Sequence, residues 1–285
     1  MLSYQHAYHA GNFADVHKHI CVYSVSDYLL RKKSSITFVD THAGRGSYPL
    51  DAAETERLQE YREGIERLWM TRGQLNNPLL MEWLDAIASL QRGVKLERYP
   101  GSPWWLGHRL REQDYLTVFE LHPGEHRHLS EESVVPKGRE KALHRVYGDG
   151  LAGLVKSLPV TTPRVCALID PSFERKDEYQ EVVEAIIQAM RKARHAVVML
   201  WYPLLPAGRH HAMLETLGDS GIRKIWRSEI LREPVGESAH GMYGSGMLVI
   251  NPPWGLDERL GQAYEHWLPL LGDQAQHRAE WLVEE

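Results

Sequence analysis

The chain has 285 residues, room for one or two domains at roughly 150 residues each, and its 33 Lys and Arg against 38 Asp and Glu leave a formal charge of −5. A hydrophobic share of 43% excludes a mainly disordered chain, and the acidic balance argues against a general nucleic-acid coat while leaving room for a local basic face. Two cysteines, Cys21 and Cys166, exclude a secreted disulfide scaffold and have no zinc-ribbon spacing.

The opening Met1-Leu2-Ser3-Tyr4-Gln5-His6 has neither the basic start nor the apolar core of a signal peptide, so a cytoplasmic protein is expected. His6, His9, His17, His19 and His42 crowd the first 42 residues, and a helix is predicted from Ala14 to Arg31. His17 and His19 would face different sides of that helix, and no His-Glu-x-x-His frame is present, so no metal is expected. The imidazoles and Lys18 suit a phosphate-bearing ligand and Tyr4 suits stacking on a base; capping and core polar contacts are the alternative. A local basic patch is expected from Lys18 with Arg31, Lys32, Lys33 or Arg45.

Ile36 to Asp40 reads as a buried strand ending in a carboxylate, followed by Thr41-His42-Ala43-Gly44-Arg45-Gly46. That lone Gly-x-Gly lacks the rest of the dinucleotide fingerprint, with Pro49 where a glycine would fall, but it permits close backbone approach to a ligand. Residues 51–98 contain helix formers and no strand run, and read as a small helical insertion within one domain spanning 1–285. Further strands are predicted at Tyr115–Leu121, Arg145–Tyr147, Val165–Asp170 and Ala196–Trp201, with a helix over Glu178–Arg194. The apolar run Ala196–Leu205 is about half the length of a membrane span and contains Pro203; no membrane partner is expected. Lys224–Leu231 and Met247–Ile250 read as strands separated by a loop containing Gly236, Gly241, Gly244 and Gly246, too short for a crossover helix. The expected fold is α/β: a mostly parallel, Rossmann-like sheet of seven strands closed by an antiparallel last pair.

Asp40, Glu120, Asp149 and Asp170 fall at strand carboxyl ends, where open α/β sheets bind ligands. Glu120 suits vicinal ribose hydroxyls; capping or solvation is the plainer reading. Asp170-Pro171-Ser172-Phe173 approximates the acid/Asn-Pro-Pro-aromatic signature of enzymes that methylate exocyclic amines of bases. Adenine N6 is a poor nucleophile because its lone pair is delocalised. A carboxylate and the Pro171 carbonyl accepting both N6 hydrogens favour a tetrahedral amine, while Phe173 stacks on the extruded base. An ordinary Asp-Pro turn is the alternative. Asn251-Pro252-Pro253-Trp254 matches the signature better letter by letter, but it follows a strand remote from the crevice and reads as a structural turn.

His9-Ala10-Gly11-Asn12, Asp40-Thr41-His42-Ala43-Gly44, Tyr99-Pro100-Gly101-Ser102-Pro103, Glu120-Leu121-His122-Pro123 and Asn251-Pro252-Pro253-Trp254 resemble the bacterial 23S ribosomal RNA adenine-N6 methyltransferase J family. The likeness runs nearly the whole chain. It implies a class I S-adenosylmethionine-dependent methyltransferase acting on one adenine of 23S rRNA as free RNA, and a monomer is expected. It also implies cofactor contacts at His19, His42, Ser102, Glu120, Asp149, Gly150 and Asp170, catalysis by Asp170, and RNA contact by Tyr4. The family tetrad Asp-Pro-Pro-Tyr reads Asp-Pro-Ser-Phe here. The competing readings are a cofactor-binding protein that has lost turnover and, from an older family label, a role in DNA utilisation.

Overall fold

A computed structural model describes residues 5–232 and 241–284; Tyr4 and Gly236 lie outside them. Residues Phe13–Leu30 form helix α1, capped by the Asn12 side chain, which accepts from the Asp15 N–H at 2.9 Å. Strands β1 (Thr37–Asp40) and β2 (Ser47–Pro49) follow, then helices α2 (Ala53–Leu58), α3 (Ile65–Thr71) and α4 (Pro78–Ala88), strand β3 (Arg98–Pro100) and helix α5 (Ser102–Gly107). Next come β4 (Tyr115–Glu120), α6 (Pro123–Glu131), β5 (Leu143–Tyr147), α7 (Gly150–Ser157), β6 (Val165–Ile169), α8 (Glu178–Lys192) and β7 (Val197–Leu204). The chain closes with α9 (Arg209–Asp219), β8 (Ile225–Leu231), β9 (Gly244–Ile250), α10 (Leu256–Leu271) and β10 (Gln276–Val283). No described helix is long and apolar enough to cross a membrane.

The main sheet has eight strands, not the expected seven, in the order β10-β8-β9-β7-β6-β1-β4-β5. β1, β4, β5, β6 and β7 are parallel, and β7–β9, β9–β8 and β8–β10 are antiparallel. The additional strand, β10, is a largely exposed edge whose large apolar residues come only at its end, so no alternation over its length marks it in a periodicity reading. β9 also starts earlier than expected. Gly244 and Gly246 are strand residues, and a Cβ on Gly246 would lie 2.2 Å from the Tyr202 ring on the neighbouring strand. Glycine there answers a close approach between strands.

Side chains alternate across the sheet with the strand period of two. Phe38, Cys166, Leu168 and Met199 share one apolar cluster with α1, α5 and α10. Val39, Ala167, Ile169, Val198 and Leu200 pack with α7, α8 and α9. The insertion is bounded by a separate β2–β3 ribbon, and its Leu68, Leu80, Trp83 and Ile87 join the first cluster. Its root touches the entry to α1: the Ile65 N–H donates to the Gly11 carbonyl at 2.9 Å. A Cβ on Gly64 would lie 2.1 Å from that oxygen, so the two backbones meet where a side chain has no room.

The chain leaves β1 for β4 on one side and reaches β6 on the other. This divergence opens a crevice at the carboxyl ends of β1 and β6.

Candidate active site

A cavity of about 830 Å³ fills that crevice. Its floor is an ion cluster between α1 and the end of β6. Lys18 Nζ lies 2.6 Å from Asp170 Oδ2 and 2.8 Å from Asp15 Oδ1. The other Asp15 oxygen accepts from the Gly11 N–H at 2.9 Å and lies 2.9 Å from His6 Nε2. One helical turn thus places Asp15 and Lys18 on the same face of α1. Burial opposes ionisation of Asp15, but His6, Lys18 and His19 together hold its carboxyl well below the usual carboxylate range. Burial likewise opposes a charge on Lys18, and the flanking Asp15 and Asp170 outweigh it, so Lys18 stays protonated. Burial lifts the Asp170 pKa, with Lys18 pulling against it.

The adjoining strand ends supply the rest of the wall. Asp40, fully buried, is pushed up to about 7 by its burial; the Ser102 hydroxyl and the His42 N–H restrain the rise. Among the described residues Asp40 Oδ2 has no hydrogen-bond partner. Glu120 accepts from the Gly44 N–H through one oxygen and from the His122 N–H through the other, each at 2.7 Å. His42, beside the Thr41 hydroxyl at 2.7 Å, is pushed down to about 4 by burial and is neutral. His19 is held well below its ordinary value by burial, with Nδ1 2.9 Å from the Tyr99 hydroxyl. Asp149 caps α7, accepting from the Leu151 and Ala152 N–H groups. Gly150 is required for another reason: a Cβ there would lie 1.9 Å from the Thr41 carbonyl, which seats α7 against β1.

His19, His42, Ser102, Glu120, Asp149, Gly150, Asp170 and Lys18 therefore all line one cavity. Two expectations need correction. Lys18 does not belong to a surface patch: it is 4% exposed and locked between two carboxylates, and Arg31–Lys33 lie past the far end of α1, roughly 20 Å along the helix. Arg45 is also buried, bonded through two nitrogens to Glu125 at 2.9 and 2.6 Å. Phe173 does not face the cavity. Its backbone is left-handed at φ 53°, which turns the ring into the core beneath α8, 4.4 Å from the Tyr179 ring. The cavity wall includes the aromatic side chains Phe13, Tyr48 and Trp201 of β7; Trp201 is the one beside the ion cluster, with Lys18 Nζ 5.8 Å from its ring centre. Trp201 Nε1 donates to Ser245 Oγ at 3.0 Å, and that oxygen lies 2.9 Å from His17 Nδ1. Sequence reasoning passed over Trp201 because it reads as one more apolar strand residue, and Asp15 because only its spacing to Lys18 marks it.

The strand order β5-β4-β1-β6-β7-β9-β8, with acids at the central strand ends around one cavity, defines a class I S-adenosylmethionine-dependent methyltransferase. A family model described as "Ribosomal RNA large subunit methyltransferase D, RlmJ" matches residues 33–283. A protein of Escherichia coli K12 named ribosomal RNA large subunit methyltransferase J is 37% identical over 94% of this chain and 93% of its own. Its namesake in Haemophilus influenzae is 34% identical over 100% of this chain and 98% of its own. A crystal structure of a Legionella pneumophila protein superposes with a TM-score of 0.88 at 32% identity, over 96% of this chain and 98% of that one. The chain belongs to this RlmJ methyltransferase family, and its cofactor is S-adenosylmethionine. The cavity fits that group. Its volume of about 830 Å³ is within the range of small-molecule sites, and its wall presents the Glu120 carboxylate and the Ser102 hydroxyl as polar groups for such a ligand.

Proposed function

We propose that the protein methylates N6 of an adenine in 23S ribosomal RNA, presented as free RNA. The observation that carries this reading is the ion-paired carboxylate of Asp170, followed directly by Pro171, on the wall of the cavity that the other cofactor candidates line. Glu120 would hold the ribose hydroxyls, while His42, Ser102 and the Asp149-Gly150 turn would surround the remainder of the cofactor. S-adenosylmethionine, when bound, would supply the methyl group and leave as the neutral thioether, with the N6 proton passing to the Asp170 carboxylate that holds it.

The chain's own task is to present that nitrogen. Asp170 accepts one N6 hydrogen and the Pro171 carbonyl the other, which draws the amine toward a geometry with an available lone pair. Lys18 keeps Asp170 ionised at the bottom of a desolvated site, and Asp15 keeps Lys18 in place, so both act as positioning residues. Trp201 supplies the stacking face that Phe173 does not offer. Alignment and fixed charge of this kind account for most of what a transferase adds to an activated donor.

The test incubates the protein and labelled S-adenosylmethionine with unmethylated 23S rRNA or with assembled large subunits, and maps the product by mass. N6-methyladenine in the free RNA, lowered by about 10²–10³-fold in Asp170→Asn, is the expected result. Incorporation at another atom, or equal incorporation by Asp170→Asn, would refute the reading. Absence of any transfer with normal cofactor binding would identify a binder without turnover, and equal transfer to DNA adenines would favour DNA handling.

A further inference from the structure

The active-site cavity is poorly suited to gripping a phosphate backbone, because its wall carries Glu60, Glu63, Glu178 and Glu181 besides Asp170. Its cations are taken up by carboxylates: Arg175 by Glu178 and Glu181, Arg232 by Glu63, and Lys18 by Asp15 and Asp170. Affinity for RNA comes largely from cations on phosphates, so an rRNA substrate needs them elsewhere on this chain. They gather at the opposite end of the sheet. Loops 31–36, 158–164, 193–196 and 220–224, which lead into β1, β6, β7 and β8, carry seven Lys and Arg and no Asp or Glu. β8 and β7 are both antiparallel to β9, so all four loops open on one edge. β9 leaves the sheet at that same edge, between β8 and β7, and delivers Asn251-Pro252-Pro253-Trp254.

That turn is built to present its tryptophan. Asn251 has left-handed backbone, φ 52°, and its side-chain amide donates to the carbonyls of Arg194 and Ala196 at 3.0 and 2.8 Å. Trp254 is 90% exposed. Beside it runs a groove of about 430 Å³ lined by Lys32, Arg164, His195, Tyr28 and Trp254, and by no carboxylate among the described residues. Arg164 is anchored by the main-chain carbonyls of Leu29 and Lys32, and Lys32 sits over the Tyr28 ring at 5.7 Å. Arg31 of these loops is paired with Asp27, and the acids that follow Trp254 in the chain, Asp257 and Glu258, belong to the first turn of α10.

We infer that this groove is a second RNA-binding site, one that takes an unpaired stretch of the rRNA substrate; the inference rests on the rRNA reading above. An exposed indole flanked by cations is a stacking platform for a base with phosphates on either side. Bases in a paired RNA helix are not available to it, so the chemistry selects a single-stranded segment. Opposite ends of β6 are roughly 17 Å apart, and a folded rRNA fragment spans that distance. The groove anchors the substrate from behind while the acid-lined cavity admits only the extruded, uncharged base.

The test compares the full-length protein with Trp254→Ala and with the double variant Lys32→Glu/Arg194→Glu, each checked for an unchanged melting temperature. Binding of a 23S rRNA fragment is measured across a salt series, separately from methyl transfer and from S-adenosylmethionine binding. Trp254→Ala weakens RNA binding roughly tenfold or more. The charge reversal weakens it further and flattens the slope of log Kd against log salt by about one to two. Cofactor affinity and kcat at saturating RNA stay within about twofold. RNA affinity unchanged in both variants would overturn the inference, as it would if a protein were the true occupant of the groove. A parent chain that binds RNA through Trp254 yet transfers no methyl group would refute the reaction and leave the groove standing.

Discussion

Lys18→Met removes a single charge on which two buried carboxylates depend. Nζ lies 2.6 Å from Asp170 and 2.8 Å from Asp15. At an effective dielectric of about 20, each contact is worth at most about 6 kcal/mol, and desolvation cancels much of that. If a quarter survives, roughly 1.5 kcal/mol, losing it raises the Asp170 pKa by about one unit. Burial already lifts that pKa and Lys18 opposes the lift, so the variant moves further in the same direction. A protonated Asp170 is a weaker acceptor and cannot take up a proton from N6, and the acid limb of kcat therefore shifts to higher pH. A shift of about one unit lowers the ionised fraction of Asp170 by at most about tenfold, most strongly on the acid side of the profile, so activity falls there and recovers under alkaline conditions, while S-adenosylmethionine affinity changes little. Breaking a buried pair also costs about 3–5 kcal/mol of stability, so the pH profile is taken well below the variant's measured melting temperature. A folded variant whose acid limb coincides with that of the parent would refute the reasoning.

Three further outcomes follow from the same geometry. His17, His19 and His42 are held below their ordinary pKa by burial, His42 at about 4. Below about pH 6.5 the unfolded chain takes up protons that the folded one refuses, so stability is complete above that pH and falls toward pH 4, by at most about 3 kcal/mol for His42; a melting temperature unchanged between pH 7 and pH 5 would contradict this. Gly150→Ala drives a methyl group onto the Thr41 carbonyl, and a loss of about 1–3 kcal/mol with weakened cofactor binding is expected; calorimetry and cofactor titration check it, and a neutral variant would show that α7 is free to shift. Trp201→Ala removes the aromatic face beside the ion cluster and lowers kcat/KM for RNA by roughly 10- to 100-fold, with cofactor affinity retained; equal loss in both would make its role structural.

The central strands and the helices α1 and α8 were legible from residue order alone, and the short or open-edged strands were less so. Ile36–Asp40 and Val165–Asp170 stand out as mostly apolar runs ending in an acid, and each forms a central strand. β10 has charged residues at Arg278 and Glu280 on an open edge, and its large apolar residues Trp281, Leu282 and Val283 are confined to its end. β2 and β3 have three residues each, too few for any period to register. The candidate site divided in the same way. Strand-end acids are marked by position, but the partner of Lys18 is 152 residues away, and no local pattern reports a pairing of that kind. Phe173 went astray for a local reason that only backbone geometry reveals: a left-handed residue directs its ring opposite to where an extended one would.

The meeting of Gly11 and Gly64 bears on how far this scaffold tolerates engineering. The root of the insertion is fastened, backbone to backbone, to the turn whose N–H groups orient Asp15. Shortening the lobe at its outer helices leaves that clasp untouched, whereas excising it at the base frees the first turn of α1 and unseats the lysine beneath the reacting carboxylate. A minimal version of this enzyme therefore keeps the base of the insertion together with Leu80, Trp83 and Ile87, which α4 lends to the main core.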